Sequence, residues 1–362
     1  MAPSLAFPAS ARRLGARVCA LALIVLSLGL AQSDAAAGRG HRLYWGAWIG
    51  DQLTGTAPPY DMSAARRFER IVHKGMSLLE FAVPFADCSN GCNFYGFPAR
   101  EMEKIRRHGS IPFLSWSSAS IGVDPVRQPD FQLSDVISGR YDASIRSFAR
   151  AAKRWGHPFF MRFDWEMNGT WFPWAMKVNG NSPREYVPAW RHVHRIFNRV
   201  GARKVTWVWC PYSDVNHRQN LRRLYPGGKW VDWTCLDVYN WGHSPANPHR
   251  WQSFKALFQS NYRRVIHRVA PHKPMVLGET GTSDFGGNKA VWLRRMFRLV
   301  LHRYRKVHAL IYFDVNDRGT HWPIETSHAA TRAFRRGIRR RAFAGSRFSR
   351  VHAFKIRPLG HR

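Results

Sequence analysis

The segment Pro158-Phe-Phe-Met-Arg-Phe-Asp-Trp-Glu-Met-Asn168 is a short apolar run that ends in acidic, aromatic and amide residues. Runs of this kind are typical of strands that are buried in a parallel sheet. Seven further segments of the same character recur along the 362-residue chain. The eight predicted strands are 44–50, 76–85, 111–117, 158–168, 204–212, 231–241, 274–281 and 309–316.

Segments with helical spacing lie between the predicted strands. Apolar side chains occur at steps of three and four in 183–200, and the same spacing recurs in 249–270. Eight alternations of strand and helix predict an α/β chain that folds as a single-domain (β/α)8 TIM barrel over residues 38–341. An open doubly wound sheet is the alternative, although the turn 50–55 lacks the glycine-rich phosphate loop of such a sheet.

The N-terminal residues predict an export signal. Three arginines precede an apolar run of 14 residues, Val18 to Ala31, and small residues follow as far as Ala37. A basic region, a short apolar core and a small-residue cleavage site are typical of a secretory signal peptide. We therefore expect residues 1–37 to be removed and the protein to be secreted to the extracellular space. An uncleaved anchor is the alternative.

Four cysteines follow the predicted signal. Cys88 and Cys92 flank a short turn, so an oxidising compartment favours a disulfide between them. Cys210 and Cys235 fall in successive predicted strands, where they either pair or remain buried thiols. The cysteines and histidines match no metal-ligand spacing, and no nucleotide-binding motif is present. We expect neither a metal nor a cofactor.

The chain is strongly basic. It carries 56 Lys and Arg against 23 Asp and Glu, for a formal net charge of +33, while 45% hydrophobic residues suffice for a core. Net charge bears on partners rather than on fold. Because the excess extends over the whole chain, we expect contact with anionic cell-wall material or acidic glycans, and no nucleic-acid partner. The basic C-terminal tail, 342–362, is disordered, contacts a cell wall, or docks on the barrel.

A parallel barrel carries its functional residues at the C-terminal ends of its strands. In this chain those ends are rich in aromatic and carboxylate side chains, and the whole sequence contains 16 Trp. Aromatic rings stack on the flat C–H faces of sugars, while polar side chains bond the hydroxyl groups. The predicted substrate contacts are Arg162, Trp165, Asn168, Trp171, Trp116, Asp237, Tyr239, Trp241 and Trp322.

Two glutamates have the placement that glycoside hydrolysis requires. Glu166 ends the fourth predicted strand and Glu279 ends the seventh, and these strands face each other across an eight-stranded barrel. One carboxylic acid protonates the leaving oxygen while the other carboxylate acts at the anomeric carbon. A carboxyl separation of about 5–5.5 Å would make the mechanism retaining. Burial among tryptophans is expected to keep Glu166 protonated.

The segments around both glutamates resemble glycoside hydrolase family 26. The resemblance covers roughly residues 43–338, and the Glu-Met-Asn-Gly sequence that begins at Glu166 is its most specific part. It implies a barrel of the retaining four/seven clan, with Glu166 as the acid/base and Glu279 as the nucleophile. It further implies that Tyr239 bonds the nucleophile and that Asp237 supports the site. The segments that carry it are Arg162–Trp174, Trp230–Asn240, Leu277–Gly281 and Tyr312–Trp322.

The sequence departs from the mannanases of that family at Trp165, where those enzymes usually carry a histidine, and at Thr280, where Phe or Tyr is common. These changes leave the carboxylate chemistry intact and the choice of sugar open. The expected protein is therefore a monomeric, secreted, retaining endo-β-glycosidase, mannanase-like, that binds a β-linked polysaccharide and inserts in no membrane once its signal is removed. A non-hydrolytic glycan-binding or cell-surface protein on the same barrel is one alternative, and a polyanion binder is another.

Overall fold

The computed structural model describes residues 41–213, 220–245, 249–317 and 319–360. The predicted signal peptide, 1–37, lies outside the described residues. Arg42–Arg362 forms one compact unit. No helix in the described ranges is both long enough and apolar enough to cross a membrane.

Eight parallel strands close into a barrel. Each strand pairs with the next along the chain, and the first pairs with both the second and the last, so the sheet has no open edge. The predicted (β/α)8 barrel is thereby confirmed, and the open sheet is excluded. The barrel strands are β1 (Tyr44–Ile49), β2 (Leu78–Asp87), β3 (Ile111–Ile121), β4 (Phe159–Phe163), β5 (Val205–Trp209), β6 (Trp233–Asn240), β7 (Met275–Thr282) and β8 (Val307–Asp314), and a further two-residue strand, Asn93–Phe94, pairs antiparallel with β2.

Helices cover the outside of the barrel. Several begin at side chains that accept a backbone N–H of the first turn, as Asp61, Asn288 and Ser327 do, which satisfies donors that the helix itself cannot. Between β5 and β6 the described residues contain only the 3-10 turn Leu221–Leu224. The helices are α1 (Met62–Val72), α2 (Ala99–His108), α3 (Leu133–Ser138), α4 (Asp142–Trp155), α5 (Tyr186–Val200), α6 (Phe254–Arg264), α7 (Lys289–His302) and α8 (His328–Ile338).

Trp116 on β3 belongs to the core between the sheet and the helices. Its ring is 2% exposed, stacks 4.3 Å from the ring of Phe148 on α4, and lies 5.8 Å from that of Phe197 on α5. The side chain therefore points away from the barrel axis and out of reach of any ligand at the strand ends. The prediction that Trp116 contacts substrate is wrong, because its strand position turns the ring toward the helices.

Residues 342–360 dock across the N-terminal end of the barrel. The backbone N–H of Ile356 donates to Thr206 Oγ1 at the start of β5, and its carbonyl accepts the indole N–H of Trp233 at 2.8 Å. Lys355 pairs with Asp232 at 2.7 Å, and the Tyr44 hydroxyl donates to the carbonyl of Arg357. Of the three roles that the sequence left open for the basic tail, the structure shows docking on the barrel.

Ile356→Ala is expected to lower the free energy of unfolding by about 2 kcal/mol, because its side chain is 3% exposed and its removal leaves a cavity under the barrel. Urea denaturation monitored by tryptophan fluorescence measures the change. Phe354, two residues earlier and 67% exposed, is the matched control, and Phe354→Ala should change stability by less than about 0.5 kcal/mol. Equal effects from the two variants would contradict docking.

Candidate active site

A buried arginine occupies the centre of the barrel. Arg162 on β4 is fully buried, and its guanidinium contacts the carboxyl groups of Glu80 at 2.7 Å, of Asp237 at 2.8 Å, and of Glu279. Its Nε donates to Ser115 Oγ, and that hydroxyl donates to Glu80. The three carboxyl groups come from β2, β6 and β7, so one cation joins strands from opposite sides of the barrel.

Glu279 is held by donors on both carboxylate oxygens. Arg162 donates to Oε1 and the Tyr239 hydroxyl donates to Oε2, while the backbone N–H of Glu279 donates to Asp237 Oδ1 at 2.7 Å. Bonds from a cation and a phenol stabilise the ionised form of a carboxyl group. Burial and the neighbouring Glu279 charge raise the pKa of Tyr239 well above its ordinary value, so its hydroxyl remains a donor. The side chain of Glu279 is therefore held in one orientation by donors from β4 and β6.

The disulfide Cys210–Cys235 lies directly beneath this group of residues. Both cysteines are fully buried, and Cys210 Sγ lies 3.1 Å from Asp237 Oδ1. A β-carbon at position 278 would fall 2.3 Å from Cys235 Sγ and 2.4 Å from Asp237 Oδ1, so the residue before Glu279 must be glycine. The sequence left open whether these two cysteines pair, and the structure shows that they do. The bridge links β5 and β6 under the site.

Glu166 lies in a loop, three residues past the last residue of β4. The sequence places it at the end of a strand, but β4 ends at Phe163, and both Asp164 and Glu166 have left-handed backbone angles, with φ of 42° and 53°. Such angles are costly for residues other than glycine and persist where the surroundings impose them. Ser118 donates twice to the Asp164 carboxyl group, and the Glu166 N–H donates to the Cys210 carbonyl at 2.7 Å.

The residues that follow Glu166 aim its carboxyl group into the barrel mouth. The Asn168 side chain both donates to the carbonyl of Tyr212 and accepts its N–H, which ties the β4 loop to the β5 loop. A β-carbon on Gly169 would lie 2.5 Å from the Trp171 ring, so glycine lets that ring fold back. The Trp171 indole then donates to Glu166 Oε2 at 2.6 Å. The Glu-Met-Asn-Gly sequence is explained by these contacts.

The two glutamates have different electrostatic surroundings. Burial, together with the charges of Asp237 and Glu279, raises the pKa of Glu166 well above its ordinary value, while the Trp171 hydrogen bond and Arg162 act in the opposite direction. Burial likewise raises the pKa of Asp237 to about 8 despite the adjacent Arg162. A carboxyl group whose pKa is raised by burial is suited to the role of general acid, and a carboxyl group in direct contact with a guanidinium is well placed to act as the nucleophile.

A cleft of about 300 Å³ opens above both glutamates at the C-terminal end of the barrel. Trp171 is its most exposed aromatic side chain, at 42%, and the Trp322 and Trp241 rings meet edge to face at 4.9 Å on the far wall. Aromatic and carboxylate side chains predominate in the lining. The lining residues are Trp165, Glu166, Trp171, Phe172, Tyr212, Tyr239, Trp241, Glu279, Phe313, Asp317 and Trp322.

Three other residues that the sequence predicts as substrate contacts lie outside this lining. Arg162 and Asp237 are fully buried below the cleft floor, and both amide atoms of Asn168 are bonded to Tyr212. These side chains position Glu279 and the β4 loop, and we correct their assignment accordingly. Strand-end location alone does not separate a side chain that reaches the opening from one that lies beneath it.

The predicted contacts omit several residues of the site, namely Phe172, Tyr212, Phe313 and Asp317 of the lining and Glu80 below it. Phe313 on β8 lines the cleft, and Glu80 on β2 completes the ion cluster around Arg162. Alternate side chains along β8 point into the barrel, and this alternation could have identified Phe313 as a lining residue. An acidic residue inside an otherwise apolar strand is the signal for Glu80, since an unpaired carboxylate is not tolerated there. Apart from the site, Cys88 and Cys92 form the predicted disulfide.

Comparison of the sequence with known proteins identifies a family model and named relatives. Residues 133–276 match the model of "Glycosyl hydrolase family 26", a range that contains Glu166 and Tyr239 and ends three residues before Glu279. Endoglucanase H of Acetivibrio thermocellus is 29% identical over 299 residues, which is 81% of this chain and 30% of that protein. The chain therefore spans about a third of the length of this relative. A β-1,3-xylanase of Vibrio sp., TXYA, is 26% identical over 114 residues, 30% of this chain and 22% of the xylanase.

Solved structures agree in fold. The catalytic domain of a family 26 endo-β-1,4-mannanase from Bacillus sp. JAMB-750 superposes with a TM-score of 0.64 at 15% identity, over 87% of this chain and 89% of that one. An endo-β-1,4-mannanase of Cellulomonas fimi gives a TM-score of 0.63 at 17% identity, over 88% and 74% of the two chains. At this identity the likeness concerns the barrel alone.

Trp171→Phe is expected to raise the pKa of Glu166, because the variant keeps the ring and loses the N–H that stabilises the ionised carboxylate. A pH titration of the carbon-13 carboxyl signals, assigned with Glu166→Gln, measures the shift. Trp230→Phe removes an indole N–H that has no bonding partner in the described structure and should leave that titration unchanged. An unaltered or lowered pKa in Trp171→Phe would contradict the assigned role of this hydrogen bond.

Proposed function

We propose that the chain, whose residues 133–276 match the model of glycosyl hydrolase family 26, is a secreted, retaining endo-β-glycosidase of that family that hydrolyses a β-linked polysaccharide. One observation carries the proposal: Glu166 and Glu279 line a single aromatic cleft, the first with a raised pKa and the second held by Arg162 and Tyr239. The raised pKa suits Glu166 to donate a proton, and the contacts of Glu279 orient its carboxyl group, as double displacement requires.

In the first step Glu166 donates its proton to the glycosidic oxygen while Glu279 attacks the anomeric carbon. The leaving part of the chain departs with that proton, and a glycosyl ester forms on Glu279. In the second step the ionised Glu166 takes a proton from water, which attacks the same carbon and releases Glu279. The Tyr239 hydroxyl, bonded to Glu279 Oε2, orients the attacking carboxylate and stays protonated throughout.

The aromatic side chains supply the sugar-binding faces. Trp165 is 6% exposed, and its ring lies 4.8 Å from the Arg162 guanidinium, so little of the ring is open to the cleft. Trp171, in contrast, is open to solvent and forms one wall of the cleft beside Glu166. We assign to Trp171 the stacking contact with the sugar next to the cleaved bond.

Trp165, the residue before the acid, leaves the choice of sugar open, so we infer the substrate class from the relatives. The named relatives are an endoglucanase and a β-1,3-xylanase, and the structural neighbours are β-mannanases. The endoglucanase aligns with 81% of this chain, so β-linked glucans are the first substrates to test, followed by xylans and mannans.

Glu279→Ala is expected to lower polysaccharide hydrolysis at least about a thousandfold, since no nucleophile remains. Glu166→Ala should lower it by about 10²–10⁴-fold and retain much more activity on an aryl glycoside whose leaving group needs no proton. Reducing-sugar release from glucans, xylans and mannans measures both. Glu101→Gln, on α2 in the outer layer, is the carboxyl control and should keep the wild-type rate.

Proton NMR of the first products tests the stereochemistry, because double displacement releases the β anomer before mutarotation. Release of the α anomer would contradict the retaining mechanism. Binding of a glycan without hydrolysis of any polysaccharide in the panel would overturn the enzymatic proposal in favour of a glycan-binding protein.

Tyr239→Phe is expected to lower kcat by roughly tenfold or more, because a hydrogen bond to a charged group contributes about 1.5–3 kcal/mol. Steady-state kinetics on the best polysaccharide measures the change. Tyr304→Phe also removes one buried hydroxyl, but that hydroxyl has no partner within the described residues, and this variant should retain full activity. If Tyr239→Phe keeps the wild-type kcat, Tyr239 does not orient the nucleophile.

A further inference from the structure

Helices α7 and α8 form a groove that is walled by arginines. The two helices pack through Phe297 and Phe334, whose rings lie 5.3 Å apart. Beside this contact a groove of about 470 Å³ runs between them, with exposed guanidinium groups on both sides. We call it the arginine groove, and its charged residues are Arg294, Arg295, Arg298, Arg336 and Arg340.

No carboxylate lies close to the groove in sequence. Segments 285–313 and 326–362, which contain α7 and α8, include no Asp or Glu. Within the described ranges no ion pair involves any guanidinium of the arginine groove. Elsewhere on the barrel the chain pairs such residues: Arg106 and Arg107 of α2 both contact Glu103 at less than 3 Å.

The spacing of these arginines is regular. Arg294 and Arg298 are four residues apart on α7, so their β-carbons are about 6 Å apart, and Arg336 on α8 is four residues from Arg340, which lies two residues past the end of that helix. Like charges at this spacing destabilise a helix slightly in the absence of a counter-charge. A linear polyanion would neutralise both rows at once, and the planar guanidinium group is suited to two-point contact with carboxylates.

We propose that the arginine groove binds a single chain of an acidic glycan whose sugars carry carboxylates. The remaining lining residues favour this ligand over single-stranded nucleic acid and over an inserted bilayer contact: Phe297 and Ala333 are buried, and Val291 is half-buried. The lining thus offers no exposed aromatic ring on which nucleobases could stack. It also offers no exposed apolar side chain to enter a lipid bilayer, as interfacial helices do.

The arginine groove is a second site, separate from the cleft. It lies on the outer helices, whereas the cleft opens at the C-terminal ends of the strands. The proposal does not depend on hydrolase activity, and direct binding rather than turnover is the suitable measurement. Polygalacturonate is a suitable probe, and a neutral galactan is the uncharged comparison.

Isothermal titration calorimetry across 25–200 mM NaCl is the experiment. The triple variant Arg294→Gln, Arg298→Gln, Arg336→Gln is expected to weaken polygalacturonate binding at least tenfold at low salt. It should also lower the slope of log Kd against log salt by about two. The control, Arg150→Gln, Arg154→Gln, Arg199→Gln, removes the same charge from exposed positions on α4 and α5 and should retain more than half of the wild-type affinity.

Each other outcome overturns the proposal. Equal weakening by the two triple variants would mean that diffuse charge, not the arginine groove, attracts the polymer. Tighter binding of duplex DNA, or of vesicles of anionic phospholipid, at matched charge concentration would assign the groove to another partner. Absence of polygalacturonate binding to the wild-type protein at 25 mM NaCl would exclude the site. Thermal unfolding of both variants verifies that each is folded.

Discussion

The buried guanidinium of Arg162 is the interaction on which the centre of the molecule depends. Its three carboxyl partners come from β2, β6 and β7, so a single side chain joins strands from around the barrel. Loss of one partner from a buried ion pair typically costs about 3–5 kcal/mol, because a charge is left uncompensated in a medium that solvates it poorly. The closed sheet and the ion cluster therefore stabilise each other.

The same ion cluster gives the two glutamates different surroundings. Glu279 is in direct contact with the cation, whereas Glu166 is bonded to a neutral indole and lies close to other acids. Arg162 thus positions Glu279 directly, while burial favours the protonated form of Glu166. This is the asymmetry that the proposed double displacement requires.

Much of the fold could be predicted from local pattern. The eight apolar segments mark the eight strands because a barrel strand is buried on both faces and tolerates few charges. The prediction was wrong at Trp116, whose ring faces the helices, and incomplete at Glu166, which extends beyond its strand on two left-handed residues. In each case the direction of a side chain was decided by packing against distant residues, such as Phe148 in one case and Cys210 in the other.

By itself, then, the sequence determined the order of strands and helices and the two glutamates of the site, because periodicity and residue type are local properties. Only the tertiary structure decided that Cys210 pairs with Cys235, that Arg162 and Asp237 lie beneath the cleft, and that α7 and α8 bring their arginines into one groove. These features depend on distances between residues far apart along the chain. Such distances arise only when the sheet closes, and no local pattern encodes them.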